Sequence, residues 1–385
     1  MLIAKKQVTL YDVARLAGVS IATVSRVMHD QGRVRESTRT RVRQAIEELG
    51  FVPDGAAQSL SRRRKDMIGL VFPEFAPVSK AGQDDIENMH LLFWDELLLG
   101  VRSRLRDMAA DRGDHDFSLL INFGTTDDDQ GFGWLEALSG KVDGLLIGGM
   151  VPSAMIERVA ARIPVVVIGG APGEPMADVV AADNRPASAA LVSHIVNDHG
   201  RRRLFHLDGL PGHPDVVERR IGLEQALRAN PDGSLVGSYL GSLDVRSGAA
   251  AAERILAMHR DDFPDAVVVA NDQMAIGLLR AFTKVGVRVP AEVAVVGFDD
   301  IFPASLCDPP LSTVHQPIRM LGTQACTRLF DRIARPDLPA AVEILPTELV
   351  LRSSCGCPAG TVVRRPVTEP DRQQITTTSD LRVLN

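Results

Sequence analysis

The residues best placed to do chemistry lie near the start of the chain. Between Ser20 and His29, the residues Ile21, Ala22, Thr23, Ser25, Arg26 and His29 fall on the outward side of a short helical pattern, with Val24 and Val27 on the inward side. A face meant only for water usually carries Glu and Lys; this one carries small hydroxyls, an Ala, an Ile and one Arg. Such residue types suit the edges of base pairs. Arg is the usual bidentate reader of guanine, while Ile and Ala offer apolar contact to a thymine methyl. The alternative for Arg26 is a phosphate contact, since many protein–DNA hydrogen bonds go to the backbone. The alternative for the whole stretch is an ordinary helical hairpin with a solvated face.

Two elements must hold that face in place. Thr9 and Asp12 stand at capping-box spacing before a first helix, whose apolar stripe is Leu10, Val13, Ala14, Leu16 and Ala17. Gly18 stands where that helix must stop and the chain reverse, a position that favours left-handed backbone. Ser20 is a suitable cap for the second helix. Two short helices joined by a Gly-containing turn form a helix-turn-helix, whose second helix enters the DNA major groove. Charge agrees with this reading. Residues 1–66 hold 13 Lys+Arg against 7 Asp+Glu, a net of +6, and the whole chain is −6, so the remainder is −12. A basic head on an acidic body pairs a nucleic-acid end with a part that avoids phosphates.

Other chemistries lack their machinery. No GxSxG elbow, P-loop or HExxH occurs, and IGGAPG (168–173) lacks the GxGxxG of a dinucleotide site. An enzyme of doubly wound fold, such as a sugar-modifying hydrolase, is therefore the weaker reading, and no cofactor is expected. A transport-type sugar-binding protein would need an export signal and no basic head. No such signal and no bilayer-length apolar run is present, so a cytoplasmic protein is expected. The four cysteines, Cys307, Cys326, Cys355 and Cys357, make no disulfide framework in a chain of 385 residues. Cys355-Gly356-Cys357 is closer-spaced than zinc-binding pairs usually are. No His cluster stands nearby in the sequence, so no metal is expected.

The segment VTLYDVARLAGVSIATVSRV, then VRESTRTRVRQAIEELGFVPDGAAQSL and IGLVFPE, resembles the lactose/galactose repressor (LacI/GalR) family of transcriptional regulators. VVVANDQMAIGLLRA, VAVVGFDD and LSTVHQP continue the likeness, which spans roughly residues 8–355. The resemblance implies a dimer on a pseudo-palindromic operator, with a central C-G step. It gives a DNA-contacting set of Thr9, Leu10, Tyr11, Ser20, Ile21, Ala22, Thr23, Ser25, Arg26 and His29, with Thr38 on backbone phosphate. It also implies a hinge that folds on DNA, where Ala57 belongs to the short helix and Leu60 wedges into the minor groove, as apolar side chains do when they kink DNA. Alone in water, so short a helix does not persist, and residues 53–66 read as a linker. One departure is Arg35, where relatives often carry a capping Ser; either Ser37 takes over or the third helix, 37–49, starts less firmly.

From Met67 the pattern changes. Short apolar runs (MIGLVF, FSLLINF, GLLIGG, VVVIGG, DVVAAD, then LFHL, VGSYL, AVVVAN, VAVVGF) alternate with helical stretches. That pattern implies two doubly wound parallel-sheet lobes with a ligand cleft at the carboxyl ends of their strands. Together with the helix-turn-helix head, the expected fold is a small all-α domain plus an α/β, periplasmic-binding-protein-like core. The expected divisions are a head at 1–52, a linker at 53–66 and a core at 67–355. Within the core, 67–183 and 313–345 form one lobe, and 184–312 and 346–355 the other. Residues 76–90 read as an inserted loop and 356–385 as a disordered tail. The resemblance places Arg219, Asn271 (beside Asp272) and Asp299 on the effector, with Gln316 at a lobe crossing and Phe93 and Trp94 available to stack on a sugar face. For Arg219 and Asp299 the plain alternative is an ion pair, and for Asn271 a helix cap. Leu243 stands where the lactose repressor has Trp, and Gly148 and Gly169 where some relatives have Asn and Asp. The pocket should therefore differ from the lactose repressor's, with a larger ligand or one held less tightly from that side. The function implied is a repressor of carbohydrate-utilisation genes controlled by a small sugar or sugar derivative. A non-sugar metabolite or a partner protein is the alternative signal.

Overall fold

A computed structural model describes residues 8–28, 32–51, 65–72, 91–112, 117–122, 133–170 and 175–368. The chain divides into two compact units between Asp66 and Met67. In the first, α1 (Leu10–Ala17), α2 (Ile21–Met28) and α3 (Glu36–Leu49) pack around Val13, Val24 and Val42, all fully buried. Local chemistry sets the boundaries. The Asp12 carboxylate accepts from the Thr9 backbone N–H (3.0 Å) and hydroxyl (2.7 Å). Gly18, at φ 63°, closes α1 in left-handed backbone, and the Ser20 hydroxyl accepts from the Thr23 N–H at 3.2 Å to start α2. Two details differ from expectation. Leu16 is exposed rather than part of the stripe, because at 100° per residue it stands roughly 110° from the centre of the line formed by Leu10, Val13, Ala14 and Ala17. Ser37 does not replace the missing cap: α3 already begins at Glu36, with Arg35 as an N-cap that makes no side-chain bond.

Among the described residues, the second unit contains two parallel sheets and one small antiparallel sheet. The first parallel sheet holds β1 (Met67–Val71), β2 (Ser118–Asn122), β3 (Gly144–Gly148), β4 (Val165–Ile168), β5 (Asp178–Ala182) and β11 (Val342–Leu345), in the order β11-β5-β4-β3-β1-β2. Around it stand α4 (Leu91–Arg112), α5 (Gly133–Ser139), α6 (Ser153–Ala160) and α11 (Ile318–Ala334). The second sheet holds β6 (Arg203–Asp208), β7 (Ser234–Leu240), β8 (Ala266–Val269) and β9 (Ala294–Val296), in the order β7-β6-β8-β9. Its helices are α7 (Asn184–Ser193), α8 (Pro214–Ala229), α9 (Val245–Leu256) and α10 (Asp272–Val285). Strands such as GLLIG in β3 and AVVV in β8 are buried along their whole length, as parallel strands covered on both faces must be.

The expected tail needs correcting. Residues 363–366 form β13 (Val363–Pro366), which pairs antiparallel with β12 (Glu348–Leu351). β12 in turn pairs with β10 (Thr313–His315). Val367 is buried in the second lobe's core, and Arg364 pairs with Glu348 and Asp300, which together hold a segment too polar to show apolar periodicity. The loop at 76–90 and residues 369–385 lie outside the described residues, as does most of the linker.

Candidate functional site

On the head, Tyr11 is 72 % exposed, and Thr9, Ser20, Ala22 and Arg26 also face outward. Thr23, Ser25, Leu10 and Thr38 are half-buried. Ile21, expected outward, packs partly against the head's own core. Of its apolar surface, only what remains is available to a ligand. His29, Ala57 and Leu60 lie outside the described residues.

In the larger unit, Phe93, Trp94, Arg219, Leu243, Asn271, Asp299 and Gln316 line one cavity of about 110 Å³. The first sheet's strand ends Ile168, Gly169 and Ala182 line it as well, so it sits at the carboxyl ends of the strands, where open α/β sheets bind ligands. Trp94 enters from the first lobe, on α4, tilted against Phe72 with ring centroids 4.1 Å apart. Gly148 makes this possible: a Cβ there would come within 2.8 Å of the indole. At Gly169, φ 84°, a Cβ would meet the Asp215 carboxylate at 2.7 Å. The two glycines thus admit side chains from elsewhere that an Asn and an Asp would displace.

The second lobe supplies a buried polar constellation. Arg219, on α8, donates to the Asn184 side-chain oxygen (2.9 Å) and the Ala270 carbonyl (2.6 Å), and pairs with Asp299 Oδ1 at 3.3 Å. Its guanidinium also lies 3.8 Å from the Phe298 ring centroid. Gln316 donates to the same Asp299 oxygen at 2.5 Å. Burial raises the Asp299 carboxyl to about 6, against the opposing pull of Arg219 and Gln316. Asp299 and Asp300 adopt φ 120° and 58°, left-handed backbone that costs a non-glycine residue of order 1–3 kcal/mol and recurs at ligand clamps. Asp300 holds this strained turn: it pairs with Arg352 (2.6 Å) and with His315 and Arg364 (both 3.1 Å). Burial would push its carboxyl up, but His315 and Arg352 hold it below the ordinary value.

Asn271 proves to be both cap and cleft residue. Its oxygen accepts from the Met274 N–H and its nitrogen donates to the Leu243 carbonyl, both at 3.0 Å, which pins Leu243 at φ 65°. One lone pair and one N–H remain for a ligand. Asp272 does not line the cleft. It is fully buried and accepts from the Thr313 hydroxyl (2.6 Å) and the Ile301 N–H (3.0 Å), with its carboxyl held well above the ordinary range by burial and by Asp299.

Sequence reasoning missed Asp215, Gln273 and His213, which also line the cavity. Asp215 accepts from Gly170 N–H and Asn184, both at 3.0 Å, and so links the lobes. Among the described residues, buried Nδ1 of His213 has no hydrogen-bond partner, and burial lowers the ring's pKa, so it faces the cleft neutral. The position of His213, just before Pro214 at a helix start, was the available signal. The fold also changes the neighbourhood of the cysteines. No histidine lies near Cys355 and Cys357 in sequence, yet folding brings His194 and His199 against both thiols.

The chain is similar to known proteins over most of its length. Residues 9–54 match the bacterial regulatory proteins of the lacI family, and residues 196–355 match the periplasmic binding protein-like domain. The HTH-type transcriptional repressor PurR of Vibrio atlanticus is 30 % identical over 90 % of this chain and 98 % of its own length. A solved transcriptional regulator CelR–cellobiose complex is 30 % identical, with a TM-score of 0.62 over 90 % of this chain and all of that one. The lac repressor dimer bound to operator and the anti-inducer ONPF is 26 % identical, with a TM-score of 0.73 over 94 % of this chain and 99 % of that one. With the lacI-family match at residues 9–54 and relatives 30 % identical over some 90 % of the chain, this chain belongs to the LacI family of DNA-binding transcriptional regulators.

Proposed function

We propose that this protein is a dimeric repressor whose operator affinity is set by a compact sugar or sugar derivative bound between the lobes. The observation that carries this reading is the make-up of the cleft. An indole from one lobe faces a guanidinium, a carboxylate and two amides held by the other. An aromatic face suits the C–H side of a sugar ring, and planar bidentate groups suit its paired hydroxyls. At about 110 Å³ the cavity is smaller than the ~300 Å³ at which pockets for drug-sized ligands begin, which favours a ligand of monosaccharide size. The similar CelR complex holds cellobiose, which supports a sugar as the class of ligand, although cellobiose is a disaccharide. Ligand closes the lobes, the paired linkers separate, and specific affinity falls; the two sites are coupled by that movement. The test is fluorescence anisotropy on DNA from the adjoining promoter, titrated with a panel of sugars and sugar phosphates. Release of the duplex by one of them supports the reading, and indifference to all of them while nucleobases or amino acids act overturns it.

Two further results are expected. Arg26→Ala should cost about 1–3 kcal/mol on the specific duplex and flatten discrimination at one base pair in a single-substitution operator series; a uniform loss across the series would assign Arg26 to phosphate. Effector affinity should be level above pH 7 and weaken as pH falls through about 6, because protonated Asp299 loses its charge-assisted acceptor. Stability moves the other way. With its carboxyl raised in the folded state, Asp299 contributes stability that is complete below its unfolded value near 3.8 and lost as pH rises through about 6. Calorimetric titration beside denaturant midpoints, repeated for Asp299→Asn, should show both pH dependences abolished together.

A further inference from the structure

Outside the residues of both sites, four side chains with metal-ligating atoms converge. His194 and His199 flank a single π-helical turn, His194–Asp198, that extends α7. Its i→i+5 bonding brings residues five apart onto one side, and such turns recur at functional sites. Cys355 and Cys357 lie on the turn that follows β12, 156–163 residues away. The four donor atoms all fall within 4.8 Å of one another. Nε2 of His194 is 3.7 Å from each sulfur, Nε2 of His199 is 3.4 Å from Cys357 Sγ, and the two nitrogens are 3.0 Å apart. In tetrahedral zinc, with Zn–S ~2.3 Å and Zn–N ~2.0–2.1 Å, neighbouring donors stand roughly 3.3–3.8 Å apart. Four of the cluster's six edges, at 3.0–3.7 Å, lie close to those values, and the other two are within 4.8 Å.

Its surroundings are built for the same purpose. Nδ1 of His194 is 2.6 Å from an Asp198 carboxylate oxygen, which fixes the proton on Nδ1 and leaves the Nε2 lone pair aimed at the sulfurs. A carboxylate behind a ligating histidine is the usual outer-shell partner of zinc. Gly356, at φ 111°, turns both neighbouring cysteines to one side, and a Cβ there would come within 3.0 Å of the His199 ring. His194 and Cys355 are buried while His199 and Cys357 are half-buried, so the cluster has an inner wall and an outer face through which an ion can enter. Cys355 Sγ also lies 3.2 Å from the Arg352 carbonyl, where a thiol proton rests when no metal is bound. Two soft thiolates with two imidazoles in a tetrahedron select zinc over hard cations such as magnesium or calcium.

We propose that His194, His199, Cys355 and Cys357 form a structural zinc site that staples the turn after β12 to the π-turn of the second lobe. Four protein ligands leave no open position, so the ion's role is to hold and not to catalyse. Beyond the staple the chain runs into β13, so the site anchors the strand that completes the small antiparallel sheet.

The full-length protein, purified with reductant and without chelator, should carry one zinc per chain by mass spectrometry of the metal. Replacement by Co(II) should give the visible ligand-field bands and near-ultraviolet thiolate charge transfer of a tetrahedral S2N2 centre. Stripping with a strong chelator should lower Tm by several degrees, and zinc should restore it. His199→Gln and Cys357→Ser, at the half-buried positions where folding is least at risk, should lose the zinc and the Tm response to chelator while keeping the far-ultraviolet circular dichroism of the parent. Substoichiometric metal after incubation with zinc, an octahedral cobalt spectrum, or undiminished zinc in both variants overturns the proposal. A Cys355–Cys357 disulfide in protein that was kept reduced throughout overturns it equally.

Discussion

Arg219→Met should destabilise the larger unit by about 3–5 kcal/mol and abolish effector binding, read as a lowered urea midpoint and a flat calorimetric titration. The side chains of Arg219 and Asp299 are both under a tenth exposed. Removal of the guanidinium therefore leaves a carboxylate in a poorly hydrated site, where among the described residues the Gln316 side chain is its remaining direct hydrogen-bond donor. The folded protein answers by taking up a proton. The Asp299 carboxyl, already raised to about 6 with the arginine in place, should rise further, so the loss of stability should be larger at pH 8 than at pH 5. Arg219 also holds the Ala270 carbonyl and the Asn184 amide, and those partners are orphaned by the same change. Asp299→Asn added to Arg219→Met removes the uncompensated charge and should recover about half of the stability or more, with no recovery of binding. If the double variant is as unstable as the single one, the buried charge is not the cause of the loss.

Gly100→Val should cost about 3 kcal/mol, at the upper end for an overpacked core, and should weaken effector binding although residue 100 is absent from the cavity. A Cβ on Gly100 would run into the Arg319 carbonyl oxygen, and one on Gly322 into that of Leu97. α4 and α11 thus cross with backbone against backbone at two glycines, and no rotamer change relieves the collision. The helices must part. Phe93 and Trp94 ride on α4 two turns before Gly100, so the cleft's aromatic wall must shift with it. Thermal midpoints and effector titrations of Gly100→Val and Gly100→Ala should fall in the order of side-chain volume. A valine variant with the parent's midpoint would show that the two helices have room to spare.

Much of the head was readable from residues alone, because its signals act over three or four positions. Thr9 with Asp12, Gly18 and Ser20 each solve a local problem of unpaired backbone groups at a helix end, and the structure uses each of them there. The alternation of apolar runs and helices in the core was equally legible, since a strand buried on both faces has little choice of residue. Leu16 misled because hydrophobicity says that a side chain can be buried, whereas helical phase says whether it is. β13 was missed because a short strand held by Arg364 and its carboxylate partners has no apolar period to detect.

Taken alone, the sequence determined the kinds of element and the basic head on an acidic body, since each depends on neighbours within a turn or on composition; the cleft residues were named through the family resemblance and not from local pattern. Tertiary structure decided which distant groups share a volume. It set Asp215 and His213 in the same cavity as Trp94, placed the Gly148 backbone under an indole, and brought His194 and His199 to a cysteine pair some 160 residues further on. The physical reason is that a strand order such as β11-β5-β4 joins segments far apart in the chain, and burial energy rewards the area covered without regard to the sequence distance between the residues that cover it.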